Sequence, residues 1–154
     1  LHTGDVGEVD GNGCLRITDR KKDIIVNSGG DNLSPQRIEG ILTMEPEIHQ
    51  AMVMGDARPH LVGLLVPDRD WMQAWAGENG KDADCLVDDG DFLAALGAVV
   101  GRVNDRFSVI EKVRRFIVAD APFTIENSLL TPTLKLRRFR IAEIYGDRLE
   151  ALYR

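Results

Sequence analysis

Residues 48–55, Ile-His-Gln-Ala-Met-Val-Met-Gly, and residues 61–66, Leu-Val-Gly-Leu-Leu-Val, decide the fold. Both are apolar runs of strand length, and the residues between them, Asp56-Ala57-Arg58-Pro59-His60, favour a turn, so the two runs predict a pair of core strands. Reading back from this pair, Glu45-Pro46 stops a short amphipathic helix that carries Ile38, Ile41 and Leu42 on one face. Ser34-Pro35 starts it, with a capping hydroxyl followed by Pro at the first helical position. Before the helix, Asn27-Ser28-Gly29-Gly30-Asp31-Asn32 reads as a loop and Asp23-Ile24-Ile25-Val26 as a short strand. Earlier still, residues 6–9 and 14–18 flank Asp10-Gly11-Asn12-Gly13, whose residue types tolerate positive φ and predict a hairpin.

Reading forward, residues 68–77 are helical, and the acidic stretch 82–91 is expected to be a solvated loop. A longer helix follows over 92–107, with Phe92, Leu96, Val99, Val100 and Val103 on its apolar face. Arg115-Phe116-Ile117-Val118-Ala119 supplies a third strand to the central sheet. A last helix over 141–153 sets Ile141, Ile144, Leu149 and Leu152 along a buried stripe. The expected fold is α+β: a small domain with a central three-stranded sheet flanked by helices, plus an N-terminal β-hairpin.

The chain has 154 residues, 44% apolar and 29% charged, which is ordinary globular usage and long enough for a real core. No apolar run approaches the roughly 20 residues that span a bilayer, and the first ten residues carry no secretory signature. Cys14 and Cys85 form no CxxC pair, and His2, His49 and His60 lack the spacing of a metal cluster, so neither a disulfide framework nor a metal site is expected. A reducing cytoplasm fits these features. The net charge of −6 argues against a general nucleic-acid binder. Residues 111–140 reverse that balance, with seven Lys and Arg against three acidic residues, and so suggest a local anionic ligand.

Two segments combine loop formers with fixed charges. The first is Thr3-Gly4-Asp5 with Asp19-Arg20-Lys21-Lys22-Asp23 and Ser28-Gly29-Gly30; the second is Thr131-Pro132-Thr133-Leu134-Lys135-Leu136-Arg137-Arg138. A carboxylate beside a small-residue turn can accept both hydroxyls of a ribose, and an arginine fork can meet a phosphate. Glycines at 29 and 30 either admit another molecule close to the backbone or make a tight turn. Lys135 is either a mobile point charge for an anionic transition state or a surface lysine. Nothing in the chain resembles a nucleophile elbow or a Walker-type phosphate loop.

Taken together and in order, these segments resemble the C-terminal part of the adenylate-forming enzymes, the superfamily of acyl-CoA synthetases, peptide-synthetase adenylation domains and luciferases. His2-Thr3-Gly4-Asp5-Val6-Gly7 is similar to the family's ribose-binding motif, and residues 17–25 to the hinge motif that follows it. Residues 28–35 with Ile38-Glu39 continue that block into the first helix. Residues 123–138 resemble the long-chain acyl-CoA synthetase version of the last family motif. The helical insertion near residues 91–108 points the same way.

The resemblance implies a two-step reaction: a fatty acid and MgATP give acyl-adenylate and pyrophosphate, then CoA displaces AMP. It also implies that Asp5 holds the ribose hydroxyls, that Arg20 contacts the nucleotide, and that Lys22 is the hinge, where many relatives have Asp. Lys135 would bridge the carboxylate and the α-phosphate in the first step, and the Ser28-Gly29-Gly30 loop would line the pantetheine path after rotation. Residues 1–18 would close the large-domain region, 19–22 form the hinge and 23–154 the mobile domain. The large N-terminal domain, with the phosphate loop, the acyl tunnel and the glutamate for Mg2+, lies outside this sequence, so these residues alone are expected to be inactive. Arg114, Arg115, Arg137 and Arg138 are open to two anionic surfaces, the CoA phosphates or a membrane that supplies fatty acid. Two other readings stand beside this one. One is a relative that passes the acyl group to a carrier protein, such as a fatty acyl-AMP ligase; the other is a stand-alone binding module.

Overall fold

A computed structural model describes residues 5–20 and 23–154, with the side chains of residues 5, 6, 8 and 16–20 outside the description. Strands β1 (Asp5–Val9) and β2 (Leu15–Arg20) form the expected antiparallel hairpin. Its turn is held by Asp10, whose Oδ1 accepts from the backbone N–H groups of Asn12 and Cys14, both at 2.9 Å. Gly13 closes the turn at φ 81°.

The expected strand over 23–26 contracts to β3 (Ile25–Val26), which pairs with β4 (Asn32–Leu33), so the Asn27–Asp31 loop is the tip of a second small hairpin. Helix α1 (Pro35–Leu42) starts as its sequence dictates, with the Ser34 hydroxyl accepting from Arg37 N.

The central sheet has the order β5 (Ile48–Met54), β6 (Leu61–Pro67), β7 (Val113–Val118). The first pair is antiparallel and the second parallel. As the middle strand, β6 is buried along its whole length, which is why its apolar run shows no alternation. Helices α2 (Arg69–Asn79) and α3 (Gly90–Asn104) form the crossover to β7. Each is capped by an aspartate, Asp68 or Asp89, that accepts from the amide three residues on. All five apolar positions expected of α3 are buried.

Side chains alternate across the sheet between two cores. Ala51, Val53, Leu61 and Leu65 pack with α1 and α3 on one face, together with Ile25 and Leu33. Met52, Val62, Leu64 and Val66 pack on the other with Phe123, Leu129, Leu130 and helix α4 (Arg138–Glu150). Helix α4 begins three residues before the expected start and buries Ile141, Tyr145 and Leu149; Ile144 is exposed because Tyr145 takes the buried position beside it.

The acidic stretch 82–91 is not merely a solvated loop. It contains a 3-10 turn at Ala83–Cys85, and Leu86 is 1% exposed in a third cluster with Trp71, Trp75 and Phe92. Lys81 binds Asp89 and Asp91, both at 2.7 Å, which offsets part of the local negative charge.

Candidate functional site

The segment that carries Lys135 is built on the sheet by polar clasps. Past β7, Phe123 is 2% exposed, and the Gln50 amide on β5 binds it reciprocally: Phe123 N donates to Oε1 at 2.8 Å, and Nε2 donates to the Phe123 carbonyl at 2.9 Å. Asn127 then organises the next turn. Its Oδ1 accepts from Thr124 N and Leu129 N, its Nδ2 donates to the Pro122 carbonyl, and Ser128 takes a left-handed φ of 64°. Leu129 and Leu130 are buried in the α4 core.

A short loop follows, closed at its base by the Leu130–Leu136 bridge and by Arg137 N donating to the Leu129 carbonyl. Within it, Leu134 N donates to the Thr131 carbonyl and Thr131 N to the Lys135 carbonyl, each at 2.8 Å. The Thr131 hydroxyl accepts from Lys135 N at 3.1 Å. Leu134 is left-handed at φ 63°. The result is a fixed backbone and an exposed Lys135 side chain. Its ammonium makes no ion pair among the described residues, and a cation held this way is free to meet a developing anion elsewhere.

The Ser28-Gly29-Gly30 loop is built from the other side. Asn27 is 9% exposed, and its Oδ1 accepts from Gly29 N at 3.0 Å and Asp31 N at 2.9 Å, while its Nδ2 donates to the Asp31 carboxylate at 3.1 Å. The β5–β6 turn supports this loop: Arg58 O accepts from Ser28 N, Val26 O accepts from Ala57 N, and Asp56 accepts from Val26 N. That turn is fastened in its turn to the C-terminal end. Arg58 pairs with Glu150 and lies 5.0 Å from the Tyr153 ring, and Tyr153 Oη lies 3.0 Å from the His60 carbonyl. Burial pushes the Tyr153 phenol up to about 12.

Gly30 has φ 86°, which explains its identity, and an added Cβ there would meet nothing within 4 Å. Gly30→Ala is therefore expected to destabilise the domain by about 1–2 kcal/mol through backbone strain alone. A denaturant midpoint at the unsubstituted value would contradict this.

Asp5 and Arg20, the two nucleotide candidates, are direct Cα partners across the β1–β2 hairpin. Their side chains lie outside the description, as does Lys22 altogether. The Lys135 loop and the Ser28–Gly30 loop belong to elements packed on opposite faces of the sheet. Helices α4 and α1, from those two faces, are joined by a bidentate ion pair of Arg138 with Glu39, both contacts at 2.6 Å.

The basic segment divides by structure. Arg138 is committed to Glu39, Arg140 pairs with Glu143, and Arg115 donates to the Leu152 carbonyl at 3.0 Å. Arg114 and Arg137 are exposed. Among the described residues no group of three or more His, Cys, Asp or Glu gathers to hold a metal.

Sequence reasoning singled out Lys135 and the glycines but not the groups that hold them. Gln50, Asn127 and Asn27 are polar residues beside apolar runs, where an unpaired amide would cost free energy, and that was their only signal. Glu39 carried a clearer one, a carboxylate between Ile38 and Ile41 on the apolar side of a short helix.

Comparison with known proteins places this arrangement. The family described as AMP-binding enzyme C-terminal domain matches residues 22–154. The chain is 39% identical to long-chain-fatty-acid–CoA ligase FadD15 of Mycobacterium tuberculosis over 98% of its own length and 26% of the relative's. It is 33% identical to mouse long-chain-fatty-acid–CoA ligase 5 over 99% of its length and 23% of that protein's. The chain thus spans about a quarter of the curated relatives it matches. Among solved structures it is similar to the adenylation domain of a Mycobacterium chelonae carboxylate reductase. There the TM-score is 0.83 at 30% identity, over 98% of this chain and 22% of that one. The adenylation domain of the Segniliparus rugosus carboxylic acid reductase, solved with AMP and a co-purified carboxylic acid, matches with TM-score 0.82 at 29% identity, over 98% and 23% of the two chains.

Proposed function

Because the chain belongs to the family of AMP-binding enzyme C-terminal domains, we propose that it is the mobile small domain of an AMP-forming long-chain fatty acid–CoA ligase. Residues 1–18 end the large-domain region, 19–22 are the hinge with Lys22 at its pivot, and 23–154 are the part that rotates. The observation that carries this reading is the exposed Lys135 on a loop whose backbone is held by Thr131 and by the Leu130–Leu136 bridge.

In the first step a carboxylate oxygen of the fatty acid attacks the α-phosphorus of ATP and pyrophosphate leaves. Lys135 lies between carboxylate and α-phosphate, lowering the repulsion between two anions as they approach and stabilising the charge that develops. Asp5 accepts the ribose hydroxyls and Arg20 contacts the nucleotide. Mg2+ supplies charge neutralisation on the phosphates and is held by the large domain.

In the second step the domain turns, Lys135 withdraws and the Ser28–Gly30 loop lines the approach of the pantetheine arm. The CoA sulfur attacks the acyl carbonyl, the thiol proton is released and AMP leaves. Nothing projects beyond the backbone at Gly29 and Gly30, so the arm passes close to the chain. Exposed Arg114 and Arg137 suit anionic groups, the phosphates of CoA or of a membrane surface touched peripherally. No described helix is long and apolar enough to cross a membrane, and the two free, exposed cysteines suit a reducing cytoplasm.

The likeness to carboxylate reductase adenylation domains favours a second reading, in which the acyl group passes to a carrier-bound pantetheine. The whole enzyme distinguishes them. With a long-chain fatty acid and ATP it is expected to form thioester on free CoA, read by chromatography of the product. Adenylate formation without thioester until a phosphopantetheinyl carrier protein is added would establish the second reading instead.

A further inference from the structure

Helix α4 has an unusual start. Its first residues are Arg138, Phe139 and Arg140, preceded by Arg137 at a cap position that makes no side-chain cap bond, and its first turn holds no acidic residue. Cations there oppose the positive end of the helix dipole, so the helix does not stabilise its own first turn. What lies against that turn is Glu39, a carboxylate only 7% exposed on α1. Oε1 of Glu39 accepts from the Val53 amide on edge strand β5 at 2.9 Å, and its two oxygens take the Arg138 fork at 2.6 Å each. One carboxylate thus ties a helix start to the sheet edge with the planar, two-point geometry that only arginine supplies.

Arg138 stands three residues after Lys135. Lys135 lies in the loop that the Leu130–Leu136 bridge and the Arg137 N to Leu129 carbonyl bond close at its base, immediately before Arg138, so the position of that base sets where the lysine reaches. We infer that Glu39, acting through Arg138, is the positioning group that aims Lys135 for the adenylation step, an inference that rests on the role given to Lys135 above. Neither residue touches substrate in this scheme. The Ser28–Gly30 loop has its own scaffold in Asn27, Asp56 and Arg58, so the pair serves the first half-reaction and not the second. The same geometry removes Arg138 from the residues available to CoA or to a membrane.

The test uses the full-length enzyme and three variants. Arg138→Lys keeps the charge and loses the fork. It is expected to lower kcat for fatty-acid-dependent pyrophosphate exchange by roughly tenfold to a hundredfold, the scale on which an ångström of misplacement acts. KM for ATP and fatty acid should hold, as should thioester formation from preformed acyl-AMP and CoA. Glu39→Gln with Arg138→Met removes both charges while leaving an acceptor for Val53 N. Replacing both partners of a buried pair is tolerated far better than removing one, so this double variant should melt near the unsubstituted enzyme yet stay slow in adenylation.

If its adenylation recovers together with its Tm, or if Arg138→Lys slows both half-reactions alike, the pair is structural and the positioning role is overturned. Lys135→Ala separates this outcome from a wrong premise. Should that variant keep normal exchange, the role of Lys135 fails and the positioning role with it; should it lose exchange while Arg138→Lys does not, only the positioning role fails.

Discussion

Lys135→Ala in the whole enzyme is expected to lower fatty-acid-dependent pyrophosphate exchange by about a hundredfold or more, the usual cost of deleting a preorganised group from a charge-stabilising site. Thioester formation from preformed acyl-AMP and CoA should persist. The asymmetry follows from the fold. The lysine loop adjoins the core on the α4 side of the sheet and the glycine loop the core on the α1 side, so under the proposed rotation the domain would present one of them at a time to the active site.

The substitution should also leave the fold alone. The Lys135 side chain is exposed and makes no ion pair among the described residues, and the loop is held through the Thr131 hydroxyl and backbone atoms that alanine keeps. Melting temperature and the second half-reaction are therefore internal controls. Equal loss in both half-reactions would mean that Lys135 acts on the structure, and full retention of exchange would remove it from the chemistry.

The parts of this domain that were legible in the sequence are those where local pattern and tertiary environment agree. The β5–β6 pair reads as apolar runs because β6 is covered on both faces, and α1 reads from Ser34-Pro35 because a cap and a fixed φ act locally. The two candidate loops were legible as motifs because most of their residues are exposed or glycine, and so are not explained by packing. What could not be read depends on long-range pairing. Glu39 and Arg138 are 99 residues apart, and so are Tyr153 and the Met54 carbonyl, 3.2 Å from its hydroxyl. Gln50 and Phe123 are 73 apart. No periodicity encodes which distant polar group will satisfy a buried one. The start of helix α4 escapes local reading for the same reason: three arginines at a helix N-terminus contradict the local rule, and among the described residues it is Glu39, on another element, that pairs with one of them.

The acidic stretch 82–91 was misread in a more general way, and it leads to the largest expected loss of stability. Its aspartates suggested solvent, yet Asp89 caps α3 and positions Phe92, which is fully buried. Trp71 and Trp75 pack on the Phe92 ring, with centroids at 5.1 and 5.3 Å, and Leu86 closes the cluster. Phe92→Ala deletes the ring on which both tryptophans pack, and these sit on the Asp68-capped helix α2, which collapses poorly into the space. A loss of about 3–5 kcal/mol is expected, a large share of the 5–15 kcal/mol that typically holds a domain folded.

Both tryptophans of the chain lie in this cluster, so their emission reports it directly, whereas far-UV circular dichroism reports the whole domain. Coincident denaturation curves at a lowered midpoint would show that the crossover folds with the sheet as one unit. An emission change that precedes the loss of helix would show that the crossover cluster opens by itself. A midpoint shift corresponding to less than about 1 kcal/mol would contradict the burial on which the expected loss rests. Neither loop contributes a residue to the cluster, so in the whole enzyme the fraction of Phe92→Ala that stays folded should keep the two half-reactions in their normal ratio, the opposite of the signature expected for Lys135.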